Sequence, residues 1–309
     1  LPKLLDAFQY TELKNEALRN ANAFSATNQF RLTNGPDGQP INTDWYDVVY
    51  RTGMMHNNAV SVSGGNESTQ YYMSVGYTEQ EGILRRNDFK RLGILMNVDH
   101  KANKYISMGA KLQYTNSMNL ASQSSGSLPG EAFNTTGLGR VPMITAPNVA
   151  PYNNDGTYNL AGNLIGVMGN LVGQVGFSNP VVGFDLNRSN SEINQMQSNL
   201  YIQAKPFEFL TLKSTYALDY VYVDNELYQH PLSNEGFSTN GFAQSWYNKT
   251  KRWVWTNTAQ FSKSFKKHNV SALIGVEQQK TEFIGFGLSR QNVNDPAFTN
   301  IQGGWTTPN

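Results

Sequence analysis

The sequence predicts an all-β fold of long antiparallel strands, and three observations predict it. From Asn57 onward, apolar and polar residues alternate with a period of two in run after run. The connectors between runs are short and long in turn. Aromatic residues make up 12% of the chain but charged residues only 15%, with 27 Gly and no Cys. Many rings with few charges exclude an intrinsically disordered chain, and the absence of Cys excludes a disulfide scaffold. Lys plus Arg number 24 against 23 Asp plus Glu, a net charge of +1. That balance gives no electrostatic footprint for nucleic acid and no polybasic membrane anchor.

Residues 1–56 differ from the rest. Leu4, Leu5, Phe8, Leu13, Ala17 and Leu18 recur at helical spacing, which predicts a helix over 4–20. Asn34-Gly35-Pro36-Asp37-Gly38 marks a turn. A short helix is expected from Thr43 to Tyr50, with Thr43 or Asp44 as N-cap. The chain opens on Leu1-Pro2 without Met, which reads as a mature or internal start.

Residues 57–285 hold the strands. Tyr71, Met73, Val75 and Tyr77 alternate with polar or small residues. So do Leu92 to Val98, Ile106 to Tyr114, Met196 to Ile202, Leu210 to Tyr222, Trp253 to Phe261 and Val270 to Val276. Each run has one apolar and one polar face. Short connectors fall near 64–69, 101–104, 205–208 and 266–269; long ones fall near 79–88, 118–191 and 225–248. Residues 286–309, with Asn294-Asp295-Pro296 and Gly303-Gly304, read as the start of another long loop. Antiparallel strands joined in this way gather the short turns at one end and the long loops at the other.

No apolar run is long enough for a transmembrane helix; Leu164 to Phe177 is interrupted by Asn170 and Gln174. Long two-faced strands with one-sided loops are instead the pattern of an antiparallel transmembrane β-barrel segment, here of about eight strands with long extracellular loops and a short helical N-terminal part. Hydrocarbon accepts apolar side chains but no unpaired backbone amide, so only a closed sheet suits it. Tyr71, Tyr105, Phe209 and Phe265 lie near the short turns. Tyr77, Tyr114, Tyr220, Tyr222, Trp253 and Trp255 lie toward the long loops, as two interfacial belts require. Two alternatives stay open on the pattern alone. One is a complete eight-stranded outer-membrane barrel with a structural or adhesive role. The other is a soluble all-β carbohydrate-binding domain whose aromatics fill a core.

Catalytic motifs are missing. His56, His100, His230 and His268 are scattered, and no metal-ligand spacing, phosphate loop or nucleophile elbow occurs. Neither an enzyme nor a bound cofactor or metal is expected. Asp219, Asp224 and Glu226 are near one another in sequence but on a strand read more simply as lining a lumen or its mouth. Sugar rings stack on aromatic faces while their hydroxyls need polar partners. Tyr152, Asp155, Tyr158, Tyr228, Trp246 and Tyr247, in or beside the long loops, are the candidate substrate-binding residues. The competing reading is that these residues pack the loops together or touch a lid protein. The glycine-rich segment 161–176 suggests close backbone packing within a loop but no defined role.

Several segments resemble SusC/RagA-family TonB-dependent outer-membrane transporters. They are Asn42-Thr43-Asp44-Trp45, Arg51-Thr52-Gly53, Asn58 to Gly65 (NAVSVSGG) and Asn66-Glu67-Ser68-Thr69-Gln70-Tyr71-Tyr72. The match continues through Gly76-Tyr77, Gln80-Glu81-Gly82-Ile83, Phe89-Lys90-Arg91 and Asn97-Val98-Asp99, with Leu13 to Ala17 upstream and His268 to Gln278 (HNVSALIGVEQ) downstream. The resemblance implies that this chain is an internal part of a 22-stranded barrel enclosing a plug. It implies import of oligosaccharides or peptides across the outer membrane of Bacteroidota-type bacteria. The partners it implies are a SusD-like lipoprotein lid, TonB acting through parts outside this chain, outer-membrane lipid, and a dimer of transporter–lid pairs.

Overall fold

The computed structural model describes residues 2–121, 139–167, 170 and 178–308. Helix α1 spans Ala7–Asn20 and α2 spans Trp45–Val49. Asp6 sets the start of α1 through a capping box: its Oδ1 accepts from Gln9 N at 2.8 Å, and Gln9 Oε1 accepts from Asp6 N at 3.3 Å. The N-cap of α2 is Asp44, which accepts from Tyr46 N at 2.8 Å. Thr43 is used elsewhere, bonding the carbonyls of Pro147 and Val149.

Four strands follow: β1 (Met55–Gly65), β2 (Thr69–Glu81), β3 (Asp88–Lys101) and β4 (Ile106–Ala121). The next connector carries α3 (Val141–Ile144), a hairpin of β5 (Leu160–Ala161) and β6 (Leu164–Ile165), and α4 (Pro180–Leu186). Then come β7 (Arg188–Phe207), β8 (Leu210–Gln229), α5 (Asn234–Phe237), β9 (Phe242–Phe265), β10 (His268–Val293) and β11 (Trp305–Pro308). All but β5 and β6 form one sheet in the order β1-β2-β3-β4-β7-β8-β9-β10-β11, antiparallel throughout. The sheet is open, with β1 at one edge and β10–β11 at the other.

The register aligns the two faces across the whole sheet. Val62, Met73, Met96, Leu112, Ser198, Leu218 and Trp253 lie in one row of partners. Ile106, Ala204, Leu212, Ala259 and Ile274 lie in another on the same face. Among the described residues no second layer covers them: Val60 is 77% exposed, Ile274 75% and Val276 61%. The opposite face carries Lys111, Gln113, Gln197, Asn199, Asp219 and Arg252, which line a shallow groove of about 350 Å³.

The strands outrun the alternation that announces them. β8 continues to Gln229 and β9 starts at Phe242, which leaves 230–241 as their connector. The connector expected over 79–88 shrinks to 82–87, and β10 continues to Val293, where Trp305 pairs back onto it. Beyond the apolar band β8 and β9 continue the ladder between largely polar side chains, where no clean periodicity marks it, while β10 continues through Ile284, Phe286 and Leu288. In the glycine-rich stretch, residues 168–169 and 171–177 lie outside the described residues.

One glycine is required by a close approach. On the polar face, the Tyr201 hydroxyl donates to Asp99 Oδ1 at 2.6 Å, passing directly over Gly109. A Cβ at position 109 would collide with the Tyr201 ring and stand 2.6 Å from Asp99 Oδ1. Gly109→Val is expected to break this bond and to destabilise by about 1–3 kcal/mol. Thermal unfolding in detergent beside Tyr201→Phe checks it; an unchanged midpoint for Gly109→Val refutes the close contact.

Candidate functional site

Buried side chains gather at the long-loop end of the sheet. One core joins Trp45 and Val49 of α2 to Val141, Ala146, Val149, Ile165 and Phe184 of the β4–β7 connector. Trp45, only 2% exposed, also donates its indole N–H to Ala146 O at 2.9 Å. A second core holds Tyr228, Ala243, Val293 and Trp305.

Irregular backbone has no ladder partners, and buried carbonyls need donors. Asparagine supplies them. Asn159 Nδ2 donates to Ala150 O and Gly166 O, both at 2.8 Å. Asn179 Nδ2 reaches Pro151 O at 2.7 Å while its Oδ1 caps α4 through Val181 N. Asn148 Nδ2 bonds Arg31 O at 3.0 Å and so ties the connector to the N-terminal segment. The connectors also bind one another, through Asn163 with Asn234 at 2.8 Å and Asn187 with Glu235 at 3.3 Å. Burial at that contact pushes the Glu235 carboxyl upward.

On this base stands a tyrosine pair. Tyr152 and Tyr158 face each other across an antiparallel bridge, with ring centroids 5.7 Å apart and planes at 26°. Both hydroxyls reach Asp185 Oδ2 just beyond α4's buried face, at 3.5 Å and 3.2 Å. Asp155 shapes the turn between them: its Oδ1 accepts from Thr157 N at 3.0 Å and Thr157 Oγ1 at 2.6 Å, and those bonds lower its pKa. Gly156, at φ +85°, completes the turn.

The other candidates lie elsewhere. Tyr228 is 1% exposed, its ring edge-on to Trp305 and its hydroxyl donating to Pro296 O at 3.3 Å. Trp246 sits on the polar face of β9, opposite Asn225 and Gly287. Tyr247 is on the other face, packed between Tyr222 and Phe286. The three carboxylates of β8 are also divided. Asp219 is on the polar face, accepting from Gln195 Nε2 at 3.0 Å. Asp224 and Glu226 share the face of Tyr247 toward the long-loop end, where Glu226 pairs with Arg188 at 3.4 Å, so the three carboxylates do not form one cluster. Asp185, Arg85 and Arg86 escaped the sequence reading. Their only signal is an adjacent Arg pair in a charge-poor chain; Asp185 is 27 residues from Tyr158 and meets it only by folding.

Among the described residues, no helix is long and apolar enough to cross a membrane, which says nothing of strands. No group of three or more His, Asp or Glu among them could hold a metal.

No family model matches the chain. It is 26% identical to TonB-dependent receptor P3 of Formosa agariphila over 296 residues, covering 94% of this chain and 28% of that protein. It is 23% identical to TonB-dependent receptor SusC of Bacteroides thetaiotaomicron over 266 residues, 79% of this chain and 25% of that one. The chain is similar to SusC-type TonB-dependent receptors. It spans about a quarter of the length of these curated relatives. Its fold matches part of a chain of the RagAB peptide transporter, with a TM-score of 0.67 at 23% identity, over 85% of this chain and 28% of that one. The SusC-like segments have structural work to do. Asn42 Oδ1 accepts from Ala7 N at 2.9 Å, Trp45 anchors the first core, and Asn66 Oδ1 closes the β1–β2 turn through Ser68 N and Thr69 N.

Two measurements check this loop architecture. Burial first, then the charge and hydrogen bond of Asp185, and finally Tyr152, push the Tyr158 phenol up to about 12. A phenol raised in this way contributes stability that is complete below its unfolded value near 10 and is lost as pH rises through about 12. Asp185→Asn is expected to bring its ultraviolet titration back toward about 10; an unmoved titration refutes the contact. Trp45→Ala is expected to cost about 3–5 kcal/mol locally. It should expose 139–167 to limited proteolysis while the strands stay protected, and an unchanged digestion pattern refutes the core.

Proposed function

We propose that this chain forms part of the wall of a closed outer-membrane β-barrel that carries oligosaccharides or peptides inward by TonB-dependent transport. The observation that carries this reading is the apolar face shared by eight long strands and covered by none of the described residues. In water such a face is an association hazard; against lipid it is the required surface. Further strands complete the ring, to 22 by the family's pattern. The polar face then lines the lumen, the long loops face outward and the short turns face the periplasm.

Transport on this reading is binding and gated release, with no covalent chemistry. A SusD-like lipoprotein closes over the loops, TonB acts through parts outside this chain, and two transporter–lid pairs form a dimer. Tyr152 and Tyr158 offer substrate a stacking surface beside Asp155, and Trp246 offers a ring on the lumen side. Tyr228 and Tyr247 support those surfaces by packing.

Neighbouring residues of β10 test the wall. Ile274 is on the apolar face and Leu273 on the polar face. Ile274→Lys is expected to destabilise the complete protein in bilayers by about 2–4 kcal/mol, while Leu273→Lys is tolerated. Equal tolerance of the two, measured by unfolding from lipid vesicles, removes the barrel reading.

A further inference from the structure

Between α2, the β2–β3 connector and α4 lies a cleft of about 630 Å³, inside the range of about 300–1,000 Å³ usual for small-ligand sites. Arg51, Arg85 and Arg86 line it together with Tyr152, Phe184 and Asp185. The three arginines are not equivalent. Arg51 is committed: it is paired with Asp88 and donates from Nε to Gly82 O at 3.1 Å. Arg85 donates one terminal nitrogen to Asp47 O at 2.8 Å, which fixes its guanidinium at the cleft and leaves its other donors unused. Arg86 is exposed and has no hydrogen bond or ion pair among the described residues.

The backbone of Arg86 is also out of the ordinary, at φ +59°. That left-handed region suits Gly or Asn and disfavours a long side chain. The turn therefore holds an unpartnered cation in a strained conformation at the rim of a cavity. Strain retained at a ligand-facing position is a reason to look for function there.

We infer that this cleft binds a carboxylate of the incoming ligand. Arg86 and the free donors of Arg85 supply the planar fork that a carboxylate matches with paired hydrogen bonds. Tyr152, held to Asp185 with its neighbour Tyr158, supplies an aromatic surface for the part of the ligand next to the charge. Asp47 and Asp185 line the same cleft, so its charge suits a single negative group better than a cluster. The carboxylate has two sources, a uronate in an acidic oligosaccharide or an acidic peptide. The inference rests on the import reading for how the ligand arrives, since the cleft opens among the long loops.

Calorimetric binding to the complete protein in detergent tests it with four probes: trigalacturonate, neutral maltotriose, and end-blocked triglutamate and triglutamine, each N-acetylated and C-amidated so that only the side chains differ in charge. At least one acidic probe should bind about tenfold or more tighter than its neutral counterpart, and the one that does names the source. Arg86→Gln should lose about tenfold for that probe and leave the neutral ones unchanged. Arg86→Gly should lose as much yet melt at a higher temperature, because glycine relieves the left-handed backbone. Equal binding of acidic and neutral probes, no binding of either acidic probe, or wild-type affinity in either variant overturns the inference. The lysine substitutions at 273 and 274 need no ligand, so a failure of the barrel reading is read separately from a failure here.

Discussion

Antiparallel pairing in a single register governs this molecule. Side chains alternate across a pleated strand, so a slip of one residue at any of the seven interfaces between long strands would turn an apolar face toward the polar one. None of those interfaces slips; the single irregularity, between Ala204 and Phe207, falls at the turn end of β7. The apolar band also drifts along the register. The row that starts at Val62 in β1 ends at Lys280, whereas the apolar run of β10 on that face nearest its short turn is Val270 to Val276, centred seven residues away. That is a displacement of about seven residues over seven strand spacings. At ~3.3 Å per residue and ~4.8 Å per spacing, the strands lean roughly 35° from the normal of the band. Barrel strands in membranes tilt by about 35–45°. The lean was fixed by pairing alone, without reference to any membrane.

A sheet whose apolar side the described residues leave uncovered gives the rest of the chain no core. The loops must therefore fold on themselves, and they do so with two small apolar clusters and a network of asparagine side chains. The 36 Asn in the sequence look like loose polar filler when counted. In place, Asn148, Asn159, Asn170 and Asn179 are buried, and their amides satisfy carbonyls that no strand or helix could reach. Short, neutral and able to donate and accept at once, asparagine satisfies irregular backbone without bringing in a charge.

This division explains what the sequence disclosed. The strands between Tyr71 and Val276 were legible because burial against one medium imposes a period of two, the first helix because its apolar residues recur at helical spacing, and the second because Asp44 stands where a cap must. The ends of β8 and β9 were not legible, since their largely polar extensions carry no clean period, whereas in β10 the alternation of Ile284, Phe286 and Leu288 with glycine was a signal passed over. The site was half legible. Tyr152 and Tyr158 stood out as loop aromatics, but their approach across the turn at Asp155 and Gly156 emerges only in the fold. Asp185, Arg85 and Arg86 could not be found, because what selects them is proximity across tens of residues, settled by the packing of Trp45, Val141 and Phe184.

The two edges of the sheet carry the argument one step further. On its far side β10 has a partner only at Arg290–Val293, so the stretch from His268 to Ser289 offers its outward amides and carbonyls to nothing in the described chain. β1 does the same at the opposite edge. In water an edge of that length invites aggregation. In hydrocarbon each unpaired group costs several kcal/mol, and about ten residues of each edge lie within the apolar band. No side chain can offset a deficit of that size; only another strand can. On the proposed reading the apolar face and the open edges ask different things of the surroundings, lipid on one side and more sheet at both edges. A closed barrel in a membrane meets both requirements at once, whereas a soluble sandwich, by covering the face, would still leave the edges unpaired.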